Sequence, residues 1–147
     1  MTGLYKIESP NESEFFAMGE LWEASVRATH YFLNDQDIIF FKSLLLNEYL
    51  KLVELFCIRD TNRSILGFMG IESDKLEMLF VHPQAMGKGI GKMLLEHAVQ
   101  TLQVTKVDVN EDNQQAVGFY QKMGFKIISR SALDGMGKPF PILHMTL

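Results

Sequence analysis

The segment Val81–Lys92, VHPQAMGKGIGK, constrains the fold more than any other part of this chain. Its last six positions hold three glycines and two lysines. It follows an apolar run, Leu76 to Val81, and precedes Ile90, Leu94, Ala98 and Leu102, whose three- and four-residue spacing predicts one face of a helix. Glycines let successive backbone N–H groups approach an anion closely, and the start of the following helix adds unpaired N–H groups at its positive end. With Lys88 and Lys92 at the rim, this reads as a pyrophosphate site that needs no bound magnesium. A tight strand-to-helix connection with two solvated lysines is the plainer alternative, but a single glycine would serve it.

Two familiar phosphate loops do not fit. A Walker A loop needs Ser or Thr after Gly-Lys, and here Lys88 is followed by Gly89 and Lys92 by Met93. A dinucleotide fingerprint needs G-x-G-x-x-G, whereas Gly87, Gly89 and Gly91 read G-x-G-x-G. Asp108 stands about 20 residues on, where a ribose-binding acid would be, but the loop begins too late to leave strands for two mononucleotide-binding halves.

Along the chain, Leu4 to Ile7 reads as a short first strand and Ser9-Pro10-Asn11-Glu12 as a helix start. Phe15, Met18, Leu21, Trp22 and Val26 predict a first helix to about Ala28, by the same periodicity. The chain turns at Asn34-Asp35, and Ile38, Phe41, Leu45 and Tyr49 predict a second helix. Leu52 to Ile58 and Ile65 to Ile71 form a predicted hairpin about Asp60-Thr61-Asn62-Arg63, followed by the strand Leu76 to Val81. After the glycine loop and its helix come a strand, Val104 to Val109, and a helix, Asn113 to Met123. Gly124 suits the left-handed position that ends such a helix. Phe125 to Ser129 and Pro141 to Met145 are the last strands, joined by a long turn, Asp134 to Pro139. This is an α/β (α+β) chain of about seven strands and four helices.

At 147 residues it is expected to form one domain, 1–147, with length enough for an apolar core. A hydrophobic content of 47% with 22% charged residues is that of a globular chain. A net charge of -4, with no basic cluster longer than two residues, argues against a nucleic-acid partner. The opening MTGLYKIESPNESE turns acidic before any signal-like stretch, and no apolar run is long enough to span a membrane. No membrane association is therefore expected, and the expected compartment is the cytoplasm. Cys57, the single cysteine, reads as a buried reduced thiol. His30, His82, His97 and His144 are scattered without ligand spacing, so no metal site is expected. His82 reads as part of the turn and His97 as a solvent-facing helix residue.

Strand, VHP, G-K-G-I-G-K and apolar helix together resemble the acetyl-CoA-binding motif of the GNAT superfamily of N-acetyltransferases. That pattern is Arg or Gln, two variable residues, Gly, one variable residue, then Gly or Ala. It falls on Met86, Gly89 and Gly91, with Met86 in place of the long polar residue. A second phase, on Gln84, Gly87 and Gly89, also satisfies it, but the first keeps VHP and G-K-G-I-G in their usual register. A second signature, N-x-x-A-x-x-F-Y-x-x-x-G-F, falls on Asn113, Ala116, Phe119, Tyr120, Gly124 and Phe125. Over nearly the whole chain, ASVRATHYFL, VNEDNQQAVGFY and GFKIISRSALDGMGKPFPIL are similar to the small bacterial YjaB-type acetyltransferases.

The resemblance implies the GNAT fold, a mixed central sheet splayed between its fourth and fifth strands, and acetyl-CoA as cofactor. It assigns cofactor binding to Leu79, Phe80 and Val81 and to Met86, Gly87, Lys88, Gly89, Ile90, Gly91 and Lys92. It adds Asn113 and Tyr120. Backbone N–H groups near Leu79 and Val81 would bond the pantetheine and thioester carbonyls. Tyr120 is the candidate general acid, since a phenol of pKa about 10 can protonate a nascent thiolate of about 8.5. Without the signature, Tyr120 beside Phe119 would read as packing. Asn113 suits a helix cap, and the resemblance adds a bond to the cofactor arm.

The general base is open between two residues. Glu77 lies four positions before Val81 and shares its face in a regular strand, where relatives place a base carboxylate. His30, in RATHYFL, falls where the family builds its acceptor pocket, which favours substrate recognition for it. The expected reaction is acetyl transfer to a primary amine by direct attack in a ternary complex. A non-catalytic acyl-CoA-binding module and a transferase for another acyl-CoA are the alternatives. The partner is a small-molecule or peptide amine. Monomer and homodimer are both open, the last strand and the Asp134 to Phe140 turn being the segments suited to a dimer contact.

Overall fold

Hydrogen-bonded boxes start the first two helices. The computed structural model describes residues 5–147, so the expected first strand lies partly outside it and β1 is Ile7–Glu8. Asn11 N–H donates to Glu14 Oε1 at 3.0 Å, opening a short 3-10 turn that runs into α1, Phe15–Thr29. Asn34 Oδ1 accepts from Asp37 N–H at 2.8 Å, and Asp37 Oδ2 accepts from Asn34 N–H at 3.1 Å, opening α2, Asp35–Leu44. The second helix does not continue with one pitch. A π-helical segment, Leu45–Tyr49, and a last turn, Leu50–Leu52, carry it on.

β2 (Glu54–Arg59), β3 (Ile65–Glu72) and β4 (Lys75–Val81) form an antiparallel meander, and β1 adds to the edge of β2. Asp60 Oδ1 makes the first hairpin turn by accepting from the N–H groups of Asn62 and Ser64, both at 2.9 Å. Helix α3, Ile90–Gln100, carries the chain across to β5, Lys106–Asn110, which lies parallel to β4. β5 starts two residues later than its apolar pattern predicts, because Val104 N–H donates to Ala98 C=O and ends the helix connection instead. Helix α4, Gln114–Lys122, then leads to β6, Lys126–Ser131, and β7, Ile142–Thr146. The seven-stranded order is β1-β2-β3-β4-β5-β7-β6.

Each face of this sheet has its own core. On one face Met18, Leu21, Trp22 and Val26 of α1, with Ile38 and Leu45, pack on Cys57 and Phe68, with Met78 and Phe80 beside them. On the other, Ile90, Leu94, Leu95 and Ala98 of α3 pack with Tyr120, Ile58, Met69, Leu76, Val107 and Val109. Cys57 is fully buried, and burial pushes its thiol up to about 11, which removes it from thiolate chemistry near neutrality. His97 is half-buried with its ring 5.7 Å from that of Phe56, so it packs rather than facing solvent.

The N-terminal box is also an ion-pair site. Arg59, whose side chain is 8% exposed, donates from Nη2 to Glu14 Oε1 at 2.8 Å and from Nη1 to Oε2. With the Asn11 N–H, these bonds lower the Glu14 carboxyl to about 2. A depressed carboxyl stabilises the fold above its unfolded value and loses that contribution as pH falls through the folded one. Glu14→Gln is expected to lower the urea midpoint at neutral pH. Its difference from the parent protein should close as pH falls from about 4.5 towards 2.

Candidate active site

The loop after β4 is built for close backbone approach. His82 Nδ1 accepts from Gln84 N–H at 3.1 Å and caps a 3-10 turn, Pro83–Ala85. Gly87 and Gly89 follow in the left-handed region at φ +81° and +79°, and a Cβ at either would meet nothing within 4 Å. That side of the loop is open. The first backbone bond at the entry of α3 is Met93 N–H to Gly89 C=O at 2.9 Å. The N–H groups from Gly87 to Lys92 are left for a ligand or solvent. No acidic residue stands in the first turn of the helix, so the positive end of its dipole is uncompensated there.

The expected splay is present. β4 and β5 pair only at Lys75↔Lys106 and Leu76↔Val107, after which the strands part. On the other side β4 stays bonded to β3, and His82 N–H donates to Leu66 C=O at 2.8 Å. Backbone N–H groups alternate in direction along a strand, so those of Val81 and Leu79 point into the splay.

A cavity of about 410 Å³ occupies this gap. Its wall includes His30, Glu77, Leu79, Phe80, Val81, Met86, Gly87, Gly89, Ile90, Gly91, Lys92, Asn113 and Tyr120. Lys88 is the one sequence-expected site residue absent from the wall. Lys92 lies 3.9 Å from Glu96 and is 65% exposed, a loose rim charge.

Tyr120 is seated by the end of its own helix. Phe125 N–H donates to Tyr120 C=O at 3.0 Å and Gly124 N–H to Gln121 C=O at 3.1 Å, with Gly124 at φ +102°. This is a Schellman cap, and its apolar contact is the Phe125 ring, 5.9 Å from that of Tyr120. The G-F of the second signature thus fixes the tyrosine end of α4 against the core. Burial raises the phenol above its ordinary value of 10. Among the described residues, Arg59 Nε is the only fully buried side-chain nitrogen or oxygen without a hydrogen-bond partner, so the Tyr120 hydroxyl is not sealed in the core.

A second cavity, of about 330 Å³, meets the first across the splay. Both are lined by His30, Glu77, Met78, Phe80, Asp108 and Asn110. The second adds the rings of Phe32, Phe41, Tyr49 and Phe140, with Asp134 at one side. Phe140, from the turn suited on sequence to a dimer contact, lies 5.8 Å from the Phe32 ring and 6.2 Å from that of Phe41. Asp108 and Asn110 are unforeseen members of the wall. Strand alternation could have found them, since Val107 and Val109 face the core and Asp108 and Asn110 therefore face away.

The strand through Glu77 is not regular. Gly70 pairs with Met78 and Ile71 with Leu76, which leaves Glu77 as the extra residue of a bulge. Leu76, Leu79 and Val81 accordingly pack with one core while Met78 and Phe80 pack with the other. Lys75 Nζ lies 2.6 Å from Asp108 Oδ2 and 3.8 Å from Glu77 Oε1. Burial raises the Glu77 carboxyl; Lys75 opposes the rise and Asp108 adds to it. Asp108 Oδ1 also accepts from His144 Nδ1–H at 2.7 Å, and His144 Nε2 lies 2.7 Å from the Ser131 hydroxyl. His30 is 9% exposed, 2.8 Å from Thr29 Oγ1 through Nδ1 and 3.4 Å from Asn113 Nδ2 through Nε2. Burial lowers its pKa to about 4. Among the described residues no helix is long and apolar enough to cross a membrane.

The family described as "Acetyltransferase (GNAT) domain" matches residues 53–127, half of the chain. Over 125 residues the chain is 40% identical to the peptidyl-lysine N-acetyltransferase YjaB of Salmonella typhimurium, covering 85% of this chain and 86% of that protein. It is 37% identical to the Escherichia coli K12 protein of the same name, with coverages of 85% and 84%. The solution structure of apo YjaB from Escherichia coli superposes with a TM-score of 0.87 at 34% identity, covering 97% of this chain and 96% of that one. An N-acetyltransferase from Thermoplasma acidophilum, PaiA, solved in complex with coenzyme A, shares the fold with a TM-score of 0.70 at 21% identity, covering 97% and 99%. Identity and coverage of this extent reach well beyond the two motifs, and the chain belongs to the GNAT acetyltransferases, in their YjaB-type group, with acetyl-CoA-dependent acyl transfer as its general activity.

Proposed function

We propose that this protein transfers an acetyl group from acetyl-CoA to a primary amine by direct attack in a ternary complex, with Tyr120 as general acid and Glu77 as proton acceptor. The observation that carries this is the meeting of two cavities at one splay, so that two substrates can be held at once. Acetyl-CoA supplies a thioester whose carbonyl carbon an amine can attack.

The open N–H groups from Gly87 to Lys92 suit its diphosphate, and Met86 adds no polar side chain, so the grip is by backbone. The Leu79 and Val81 N–H groups supply donors where carbonyl charge develops. On the acceptor side, Glu77 and Asp108 draw in an ammonium group, and the desolvated Glu77 carboxyl takes its proton. Tyr120 keeps a proton on its hydroxyl to release to the departing thiolate. Two relatives named peptidyl-lysine N-acetyltransferase support a lysine ε-amine as acceptor. The rings of Phe32, Phe41, Phe80 and Phe140 suit its alkyl stem.

Tyr120→Phe is expected to lower kcat by about 10²-fold or more while calorimetry shows unchanged CoA affinity. A binding module of the same fold would show no CoA release from the parent protein with any amine. Because the Glu77 carboxyl is raised, it gains a proton earlier than an ordinary carboxyl as pH falls, and kcat/KM should fall with it. Glu77→Gln should lower kcat/KM and remove that acid limb; a retained limb would rule Glu77 out. Gly89→Ala puts a Cβ at φ +79°, and should cost about 1–2 kcal/mol in thermal unfolding and weaken CoA binding.

A further inference from the structure

We infer that His30 is a positioning residue, held as the neutral Nδ1–H tautomer, that ties the end of α1 to the start of the helix carrying Tyr120. The hydrogen bonds around it leave one consistent assignment. Asn113 Oδ1 accepts the N–H of Ala116 at 3.3 Å, which fixes the side-chain amide and turns its Nδ2 towards His30. An amide nitrogen donates and does not accept, so His30 Nε2, 3.4 Å away, must offer a lone pair. The ring proton is then on Nδ1, which faces Thr29 Oγ1 at 2.8 Å. The Thr29 hydroxyl proton goes to Ser25 C=O at 2.8 Å, so Oγ1 is free to accept from Nδ1–H.

Each link fixes the next, from the Ala116 amide to the Ser25 carbonyl. The other tautomer would set Nε2–H against the Asn113 N–H, and Nδ1 could gain a donor only if the Thr29 hydroxyl gave up Ser25 C=O. An imidazolium would keep the first of these clashes. Burial points the same way, since it disfavours the charged ring.

Two consequences follow for the reaction. With its one lone pair engaged by Asn113, His30 has none to offer an incoming ammonium, which leaves proton removal to the carboxylates across the splay. Its place is structural in a directed sense. Its ring lies 5.3 Å from that of Phe32 in the acceptor wall, and its partner Asn113 caps α4, which carries Tyr120. The imidazole therefore sets the spacing between acceptor wall and general acid. This effect on turnover rests on the acetyltransferase reading; the tautomer does not.

Long-range 1H–15N spectra of the imidazoles in the full-length protein test the assignment directly. His30 should show a protonated Nδ1 and a bare Nε2 with no titration between about pH 5 and 8, where an ordinary histidine titrates. A protonated Nε2, or titration in that window, overturns the inference. The turnover arm uses two variants of similar polarity. His30→Gln puts an acceptor near the Nε2 position and keeps the Asn113 bond, whereas His30→Asn puts its amide near Nδ1 and loses it. His30→Asn should lower kcat by about tenfold or more, and His30→Gln should stay within about threefold of the parent protein. Equal effects from the two would overturn the positioning role. If the parent protein releases no CoA with any amine, the acetyltransferase reading fails, and the ring spectra still decide the tautomer.

Discussion

The site depends on two strands that stop pairing. β4 and β5 share two residue pairs, Lys75↔Lys106 and Leu76↔Val107, and then diverge. Backbone groups at an open strand edge inside a protein are costly unless something bonds them. Here the cost is kept low because the edge lines a cavity that water or a ligand can fill. The gap stays open because each side is anchored independently. β4 is bonded along its length to β3 and sandwiched between both cores, while β5 is paired over five residues with β7. Parting the strands is therefore a property of the whole sheet rather than of the loop beside it.

Local chemistry was legible in the sequence wherever a short-range rule fixed it. The glycines at 87 and 89, expected to bare the backbone, do so in left-handed conformations, and Gly124 ends its helix as the left-handed cap its place suggested. Asn113 caps α4. Among the described residues, four principal helices and seven strands fall where the sequence pattern put them, with shifts at the ends. What could not be read is what depends on pairing. The splay has no local signature, and it entered through family resemblance alone. The bulge at Glu77 is set by register against Gly70 and Ile71, and counting alternate residues from Val81 gives no sign of it. The π-helical segment at Leu45–Tyr49 likewise interrupts a pattern that reads as one unbroken helix.

The second cavity was hidden for a related reason. Its wall joins α1 and α2 to β4, β5 and the turn before β7, segments that lie far apart in the chain. Phe32 and Phe140 are 108 residues apart in sequence and 5.8 Å apart as rings. Aromatic residues in two polar loops carry no periodic signal, and only the fold brings them together. Asp108 differs, because the alternation of β5 was visible and merely not used.

The bulge lies beside the two carboxylates at the foot of the splay. An extra residue on β4 brings Glu77 to the same cavities as Asp108, at the foot of the splay, with Lys75 between them. Two carboxylates and one ammonium cannot be evenly balanced. Lys75 lies 2.6 Å from Asp108 and 3.8 Å from Glu77, and Asp108 has a second donor in His144 Nδ1–H. Asp108 thus has the two closer donors. Glu77 keeps a long contact to Lys75, a desolvated environment and a neighbouring negative charge, all of which but the first favour its neutral form. Of the two, Glu77 is the one whose surroundings favour gaining a proton. On the other side of the splay burial holds the Tyr120 phenol protonated. In the proposed reaction the proton acceptor and the proton donor both line the first cavity, and burial raises the pKa of each.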